Sequence, residues 1–166
     1  MDIASKKYKT LDDIVRIRQE LSLKGKRLVF TNGCFDILHL GHVRYLNQAR
    51  TLGDILVVGV NSDLSVRRIK GNARPLVPEM ERVEVLAALE CIDYVFLFDD
   101  QTPQKIIEAI VPDILVKGSD WKLQDVVGRD VVEKNGGAVL TIPVVEGFST
   151  TAIILTVLDR FGPPSG

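Results

Sequence analysis

Histidine and cysteine are scarce in this chain, with two of each in 166 residues. Cys34 and Cys91 lack the paired spacing of a disulfide framework, so a reducing, cytoplasmic setting is expected. No charge of one sign dominates: 21 Lys+Arg stand against 22 Asp+Glu. That balance lacks the electrostatic footprint of a nucleic-acid or anionic-membrane binder. No apolar run approaches the roughly 20 residues that span a bilayer. The start, Met1 to Lys7, carries no apolar signal segment, and no internal repeat is evident. What is plentiful is apolar side chain, 46% of the residues, ample for one packed core. A single domain over residues 1–161 is expected, with a helix at 10–24 packed on it. The tail 162–166, rich in Gly and Pro, reads as disordered.

The apolar residues fall in alternating periods. Leu11, Ile14, Ile17 and Leu21 recur at helical spacing, with Thr10 as N-cap and Gly25 as stop. Leu28 to Thr31 reads as a short buried strand. Gly41 to Leu52 reads as a helix closed by Gly53. Ile55 to Val60 is a continuous apolar run, the mark of a strand covered on both faces. Residues 62–78 are polar and basic and read as a loop. A helix over 79–90, a strand over 94–98 and a helix opened by Thr102-Pro103 follow. Then come a strand over 114–116, a weaker helix over 124–134, a strand over 138–142 and a last helix marked by Ile153, Ile154, Val157, Leu158 and Phe161. Five strands alternating with helices imply right-handed βαβ units. The fold class is α/β, a Rossmann-like, doubly wound, five-stranded parallel sheet. In such sheets ligands bind beyond the carboxyl ends of the strands, near the switch point. The loops after Thr31, Val60, Phe98, Val116 and Ile142 should therefore share one face.

Both histidines lie in one of those loops, Thr31-Asn32-Gly33-Cys34-Phe35-Asp36-Ile37-Leu38-His39-Leu40-Gly41-His42. A strand that turns through glycine into a helix start offers unpaired N–H groups and a positive dipole end, a ready phosphate site. Two imidazoles near the first helical turn could donate to one phosphate chain. Two other uses of the pair are open, metal ligation and simple capping. A structural zinc site wants about four ligands, and no second Cys/His pair exists. Cys34 reads as a small buried residue without a fixed basic partner.

The segment Thr31 to Asp36 followed by His39-Leu40-Gly41-His42 resembles the signature of the HxGH nucleotidyltransferases, in particular their cytidylyltransferase-like branch. Glu146-Gly147-Phe148-Ser149-Thr150-Thr151 resembles their second signature, a Ser-Thr turn opening the last helix. Simple N-capping would use the same residues. Lys70-Gly71, Arg74 to Pro78, Glu81-Arg82, Thr102 to Gln104 and Val116 to Trp121 resemble heptose-1-phosphate adenylyltransferases. Many members carry a basic residue shortly after the Ser-Thr turn, whereas Ala152-Ile153-Ile154-Leu155 follows it here. The phosphate-binding charge would then fall on Lys70, Arg74 and Lys117.

The resemblance implies transfer of AMP from ATP to a heptose 1-phosphate, giving ADP-heptose and pyrophosphate. His39, His42 and Lys70 would act on the phosphates. Thr31, Asn32, Gly33, Cys34, Phe35, Gly41, Arg74, Lys117, Gly147, Ser149, Thr150 and Thr151 would hold the nucleotide. Asp36, Asn61, Arg82, Asp120, Trp121 and Glu146 would face the acceptor. Mg²⁺ would come bound mainly through the triphosphate, with no protein metal site. A homodimer and a separate upstream sugar kinase are also implied. A cytidylyltransferase for glycerol 3-phosphate shares the same skeleton, and a non-catalytic nucleotide sensor would share the pocket.

Overall fold

The structure is a computed structural model that describes residues 6–119, 121–145 and 147–162. Helix α1 (Leu11–Leu23) leads into β1 (Leu28–Gly33), α2 (Leu40–Arg50) and β2 (Ile55–Asn61). Then come α3 (Asp63–Lys70), α4 (Glu79–Ala87), β3 (Tyr94–Phe98), α5 (Gln104–Ile110) and β4 (Ile114–Gly118). A 3₁₀ turn (Leu123–Asp125), α6 (Arg129–Lys134), β5 (Ala138–Ile142) and α7 (Thr150–Phe161) complete the chain. The strands form one sheet in the order β3-β2-β1-β4-β5, and every pairing is parallel. The order reverses between β1 and β4, so the switch point lies where the histidine segment leaves β1.

Alternation along the strands divides the core into two layers. Val29, Leu56, Val58, Val95 and Val116 point to the face covered by Leu46 and Ala49 of α2 and by Val83 and Leu86 of α4. Leu28, Phe30, Val57, Phe96 and Leu115 point to the other face, under Ile14 of α1, Ile107 of α5 and Val132 of α6. Because both faces are covered, the strands read as unbroken apolar runs. Helix α1 starts with a capping box, in which the Thr10 hydroxyl accepts from the Asp13 amide and the Asp13 carboxylate accepts from the Thr10 amide. The Thr10 hydroxyl also donates to that carboxylate, and these bonds hold the Asp13 carboxyl down at about 2.

The amino-terminal edge of the sheet is stapled by three aspartates that precede strands. Asp54 accepts from the Arg27 amide at 2.8 Å, Asp93 from Leu56 at 2.8 Å and Asp113 from Leu28 at 2.8 Å. Arg18 also reaches Asp113 at 2.8 Å. These bonds fix register at the end of the sheet remote from the histidines.

Two parts of the chain depart from the sequence reading. Residues 63–70 are helix, not loop. Ser62 caps it by accepting from the Ser65 amide, Asp63 stands in its first turn, three cations stand in its last, and Gly71 at φ 92° ends it. The density of charge concealed an ordinary capped helix with Val66 buried. The expected helix over 124–134 is instead a 3₁₀ turn and a short helix, divided at Gly128 with φ 82°. A Cβ there would meet Ile107 side-chain carbons at 2.7 Å, so the break is also a close approach to α5. Residues 163–166 of the expected tail lie outside the described residues.

Candidate active site

Buried polar residues are few and cluster in one region. Among the described residues these are Thr31, Asp36, Asn61, Ser62, Ser65 and Arg82, and they lie at the carboxyl ends of β1 and β2 or in the helices that follow. Burying such groups is unfavourable unless they are bonded, so their grouping marks the end of the sheet where chemistry is placed.

The histidines stand at the start of α2. His39 is its N-cap, in extended conformation and without a side-chain capping bond. Simple capping therefore does not account for this ring. The rings of His39 and His42 stack, with centroids 3.8 Å apart and planes 21° apart. Phe35 lies 5.3 Å from His42 on a tilted approach. Both Nδ1 atoms are buried without a hydrogen-bond partner. Burial lowers the pKa of His39. His42 is lowered to about 4 by burial first and by the neighbouring His39 second, with the nearby Ile37 backbone opposing. Both rings are accordingly neutral near pH 7, each with one N–H to donate. Orphaned ring nitrogens are unfavourable, and folds retain such groups chiefly at functional sites.

Gly41 makes the stack possible. A Cβ on it would sit 3.0 Å from Cε1 and Nδ1 of His39 and 3.3 Å from the Phe148 Cβ. The same contact shows that the second signature packs on the first. Thr150 Oγ1 also reaches the Ile37 carbonyl at 3.4 Å, and Ser149 caps α7 by accepting from the Ala152 amide at 3.0 Å. Gly147 takes φ 79° just before, and Thr151 is exposed. Two helix N-termini thus flank one turn.

The basic groups are placed unequally. Lys70 is exposed at the end of α3; burial pushes the Cys34 thiol up, opposed by the charge of Lys70. Cys34 is half-buried rather than fully buried. Lys117 Nζ donates to Asn32 Oδ1 at 2.5 Å, a contact across the switch point. Arg74 does not reach out toward solvent. Its Nε donates to Asp36 Oδ2 at 2.5 Å.

Several residues expected to touch ligand are committed elsewhere. Thr31 is fully buried, its hydroxyl 2.7 Å from the Tyr45 hydroxyl, which donates on to the Val116 carbonyl. Asn61 donates to Ser65 Oγ at 2.9 Å. The Phe35 ring is core, packed beneath the histidines. Asp36 uses both oxygens within the protein, accepting from Arg74 and from the Leu76 and Val77 amides. Arg82 has no exposed side-chain atom to offer an acceptor. Trp121 is about half exposed. Asp120 and Glu146 lie outside the described residues. Tyr45, which ties β1 to β4, went unseen in the sequence because nothing in a helical tyrosine announces a bond across the sheet. Ser62 and Asp63, which cap and open α3, were hidden in a segment read as a loop.

Among the described residues no group of three or more His, Cys, Asp or Glu is placed to hold a metal. A cavity of about 650 Å³ opens beyond β3, between Arg68 and the Asp99–Lys105 turn, and no histidine lines it.

A doubly wound sheet that brings two helix starts and two neutral imidazoles together beside its switch point belongs to the class of nucleotide-phosphate-binding α/β domains. Residues 30–155 match the cytidylyltransferase-like family, and the chain belongs to it. It is 57% identical over 155 residues to the bifunctional protein HldE of Citrifermentans bemidjiense, covering 93% of this chain and 32% of that one. It is 53% identical over 156 residues to HldE of Geobacter metallireducens, covering 94% and 32%. The chain thus spans about a third of the length of these curated relatives. A solved lipopolysaccharide core biosynthesis protein from Thermoplasma volcanium GSS1 aligns at 32% identity with a TM-score of 0.60, over 73% of this chain and 98% of that one.

Proposed function

We propose that this chain is a nucleotidyltransferase that moves AMP from ATP to a heptose 1-phosphate, forming ADP-heptose and pyrophosphate for a lipopolysaccharide or other cell-surface glycan. The observation that carries the reading is the stacked, neutral histidine pair at the start of α2, with the start of α7 packed on it. An oxygen of the acceptor phosphate attacks the α-phosphorus. The bond from that phosphorus to the bridging oxygen breaks, and pyrophosphate leaves with the electron pair. The attacking phosphate is already an anion, so no general base is needed. Catalysis reduces to positioning and to stabilising charge as it spreads. Ring N–H donors of His39 and His42, first-turn amides of α2 and α7, and Lys70 supply that stabilisation. Donors of this kind suit phosphate oxygens. Mg²⁺ would enter with the triphosphate, keeping several waters and needing few protein ligands; Asp36, the buried carboxylate nearest the turn, already has both oxygens engaged.

The heptose acceptor is supported by the similarity to the HldE proteins and to the lipopolysaccharide core protein. The acceptor's own phosphate would be installed by a separate sugar kinase. A homodimer completes the proposal; Leu155, Leu158 and Phe161 on α7 are 58–81% exposed and offer an apolar face. Sedimentation at micromolar concentration tests the dimer, which a monomeric mass would refute.

The function is tested by pyrophosphate release with ATP or CTP against heptose 1-phosphate or glycerol 3-phosphate. Fast release is expected only with ATP and heptose 1-phosphate. Release with CTP and glycerol 3-phosphate would replace the substrate assignment. Nucleotide binding without release from any pair would replace the enzyme with a sensor.

A further inference from the structure

Arg82 ties together three segments of the chain around this site. It stands in the first turn of α4, where the helix dipole disfavours a cation, and its side chain is fully buried. Its hydrogen bonds explain the placement. Nε donates to the Val77 carbonyl at 2.9 Å, Nη1 to the Cys34 carbonyl at 2.5 Å and Nη2 to Asp63 Oδ1 at 2.8 Å. The three acceptors belong to three separate segments.

Each segment leads to a group in the proposed chemistry. The Cys34 carbonyl is in the peptide unit that enters Phe35, a non-glycine residue at φ 47°. Pinning that carbonyl sets the rotation that seats the Phe35 ring 5.3 Å from His42. Asp63 is the first residue of α3, the helix that ends in Lys70, and its amide is held by Glu79 at 2.7 Å. Val77 is gripped twice: its amide donates to Asp36 at 2.9 Å and its carbonyl accepts from Arg82. Asp36 in turn draws in Arg74 and the Leu76 amide. A rigid planar fork meets three directions at once, which a lysine cannot do.

We propose that Arg82 is a positioning residue that joins the histidine turn, the 74–77 segment and the Lys70 helix into one body, and that it touches no substrate. This rests on the reading that the histidines and Lys70 act on the phosphates. The linkage predicts that losing the fork lowers kcat and leaves KM for ATP nearly unchanged.

The test compares wild type with Arg82→Lys, Asp63→Ala and Asp63→Asn. It measures kcat and KM by pyrophosphate release, stability by urea unfolding, and the His42 ring titration by NMR. Arg82→Lys and Asp63→Ala should each lower kcat at least tenfold, change KM for ATP less than threefold and move the His42 titration. Asp63→Asn keeps an acceptor oxygen and should restore most of the rate. If Arg82→Lys does not fold, Asp63→Ala and Asp63→Asn carry the test. A rise in KM with kcat intact in Arg82→Lys would mean that Arg82 binds substrate, and would overturn the proposal. So would lowered stability with kcat and the His42 titration unmoved, which marks a merely structural ion pair. If wild type releases no pyrophosphate with any donor, the functional reading fails by itself. The coupling is then decided by the His42 titration, which an unlinked Arg82 leaves in place.

Discussion

Gly41→Ala separates the needs of the histidine pair from the needs of the fold. Gly41 is the second residue of α2 and its φ lies outside the left-handed region. Alanine is therefore compatible with the backbone and raises helix propensity by up to about 1 kcal/mol. The new Cβ, however, would stand 3.0 Å from Cε1 and Nδ1 of His39. Carbon atoms prefer about 3.5–4.0 Å, so the ring must retreat by roughly 0.5 Å. The second neighbour, Phe148, sits on an exposed loop and yields more readily. Relief of the contact offsets much of the propensity gain, and net stability should stay within about 1 kcal/mol of wild type, or roughly 2–4 °C in Tm. The rate is less forgiving. A 1 Å misplacement of a catalytic group costs on the order of 100-fold, so half that displacement should lower kcat by about 10-fold. Calorimetry and steady-state pyrophosphate release measure the two effects on one preparation. A kcat within twofold of wild type would refute the claim that the His39 ring must hold its stacked position. A stability loss above about 3 kcal/mol would show that Gly41 is a packing requirement of the fold instead.

Two further outcomes concern stability. The unfolded chain takes up a proton at His42 near 6.5, whereas the folded chain waits until about 4. Stability from this ring is therefore full above pH 6.5 and is lost as pH falls towards 4. The gap sets a ceiling of roughly 3 kcal/mol, reduced to about 2 because the ring is only partly buried. Urea unfolding between pH 4 and 7 should show this slope in wild type and a flatter one in His42→Gln; equal slopes would contradict it. Asp113→Ala removes the acceptor of the Leu28 amide and the partner of Arg18. It should lower stability by about 1–3 kcal/mol with kcat unchanged, because Asp113 staples the opposite end of the sheet. A tenfold fall in kcat would show that sheet register reaches the site.

The elements whose pattern was continuous were legible in the sequence. The runs at 55–60, 94–98 and 114–116 are strands because both faces of the sheet are covered, which leaves no polar alternation to read. Helix α3 was not legible as a helix. Its buried face amounts to Ser65 and Val66, too narrow a stripe to stand out among Arg67, Arg68 and Lys70. The break at Gly128 could not be foreseen either, since it depends on how closely α5 approaches.

The site divides in the same way. Read along the chain alone, a strand turns into a helix at His39 and His42, a Ser-Thr turn opens the last helix, and a parallel sheet brings both to one end. Those are local matters of spacing, capping and period. Which charged groups face the turn and which lie beneath it depends on packing between distant segments. Arg74, Asp36 and Arg82 look like ligand residues in one dimension. In three, Arg74 bonds Asp36 across 38 residues of chain, and Arg82 bonds the Cys34 carbonyl across 48 and Asp63 across 19. A buried charge must find partners wherever the fold supplies them, and no spacing along the chain reports where those partners lie.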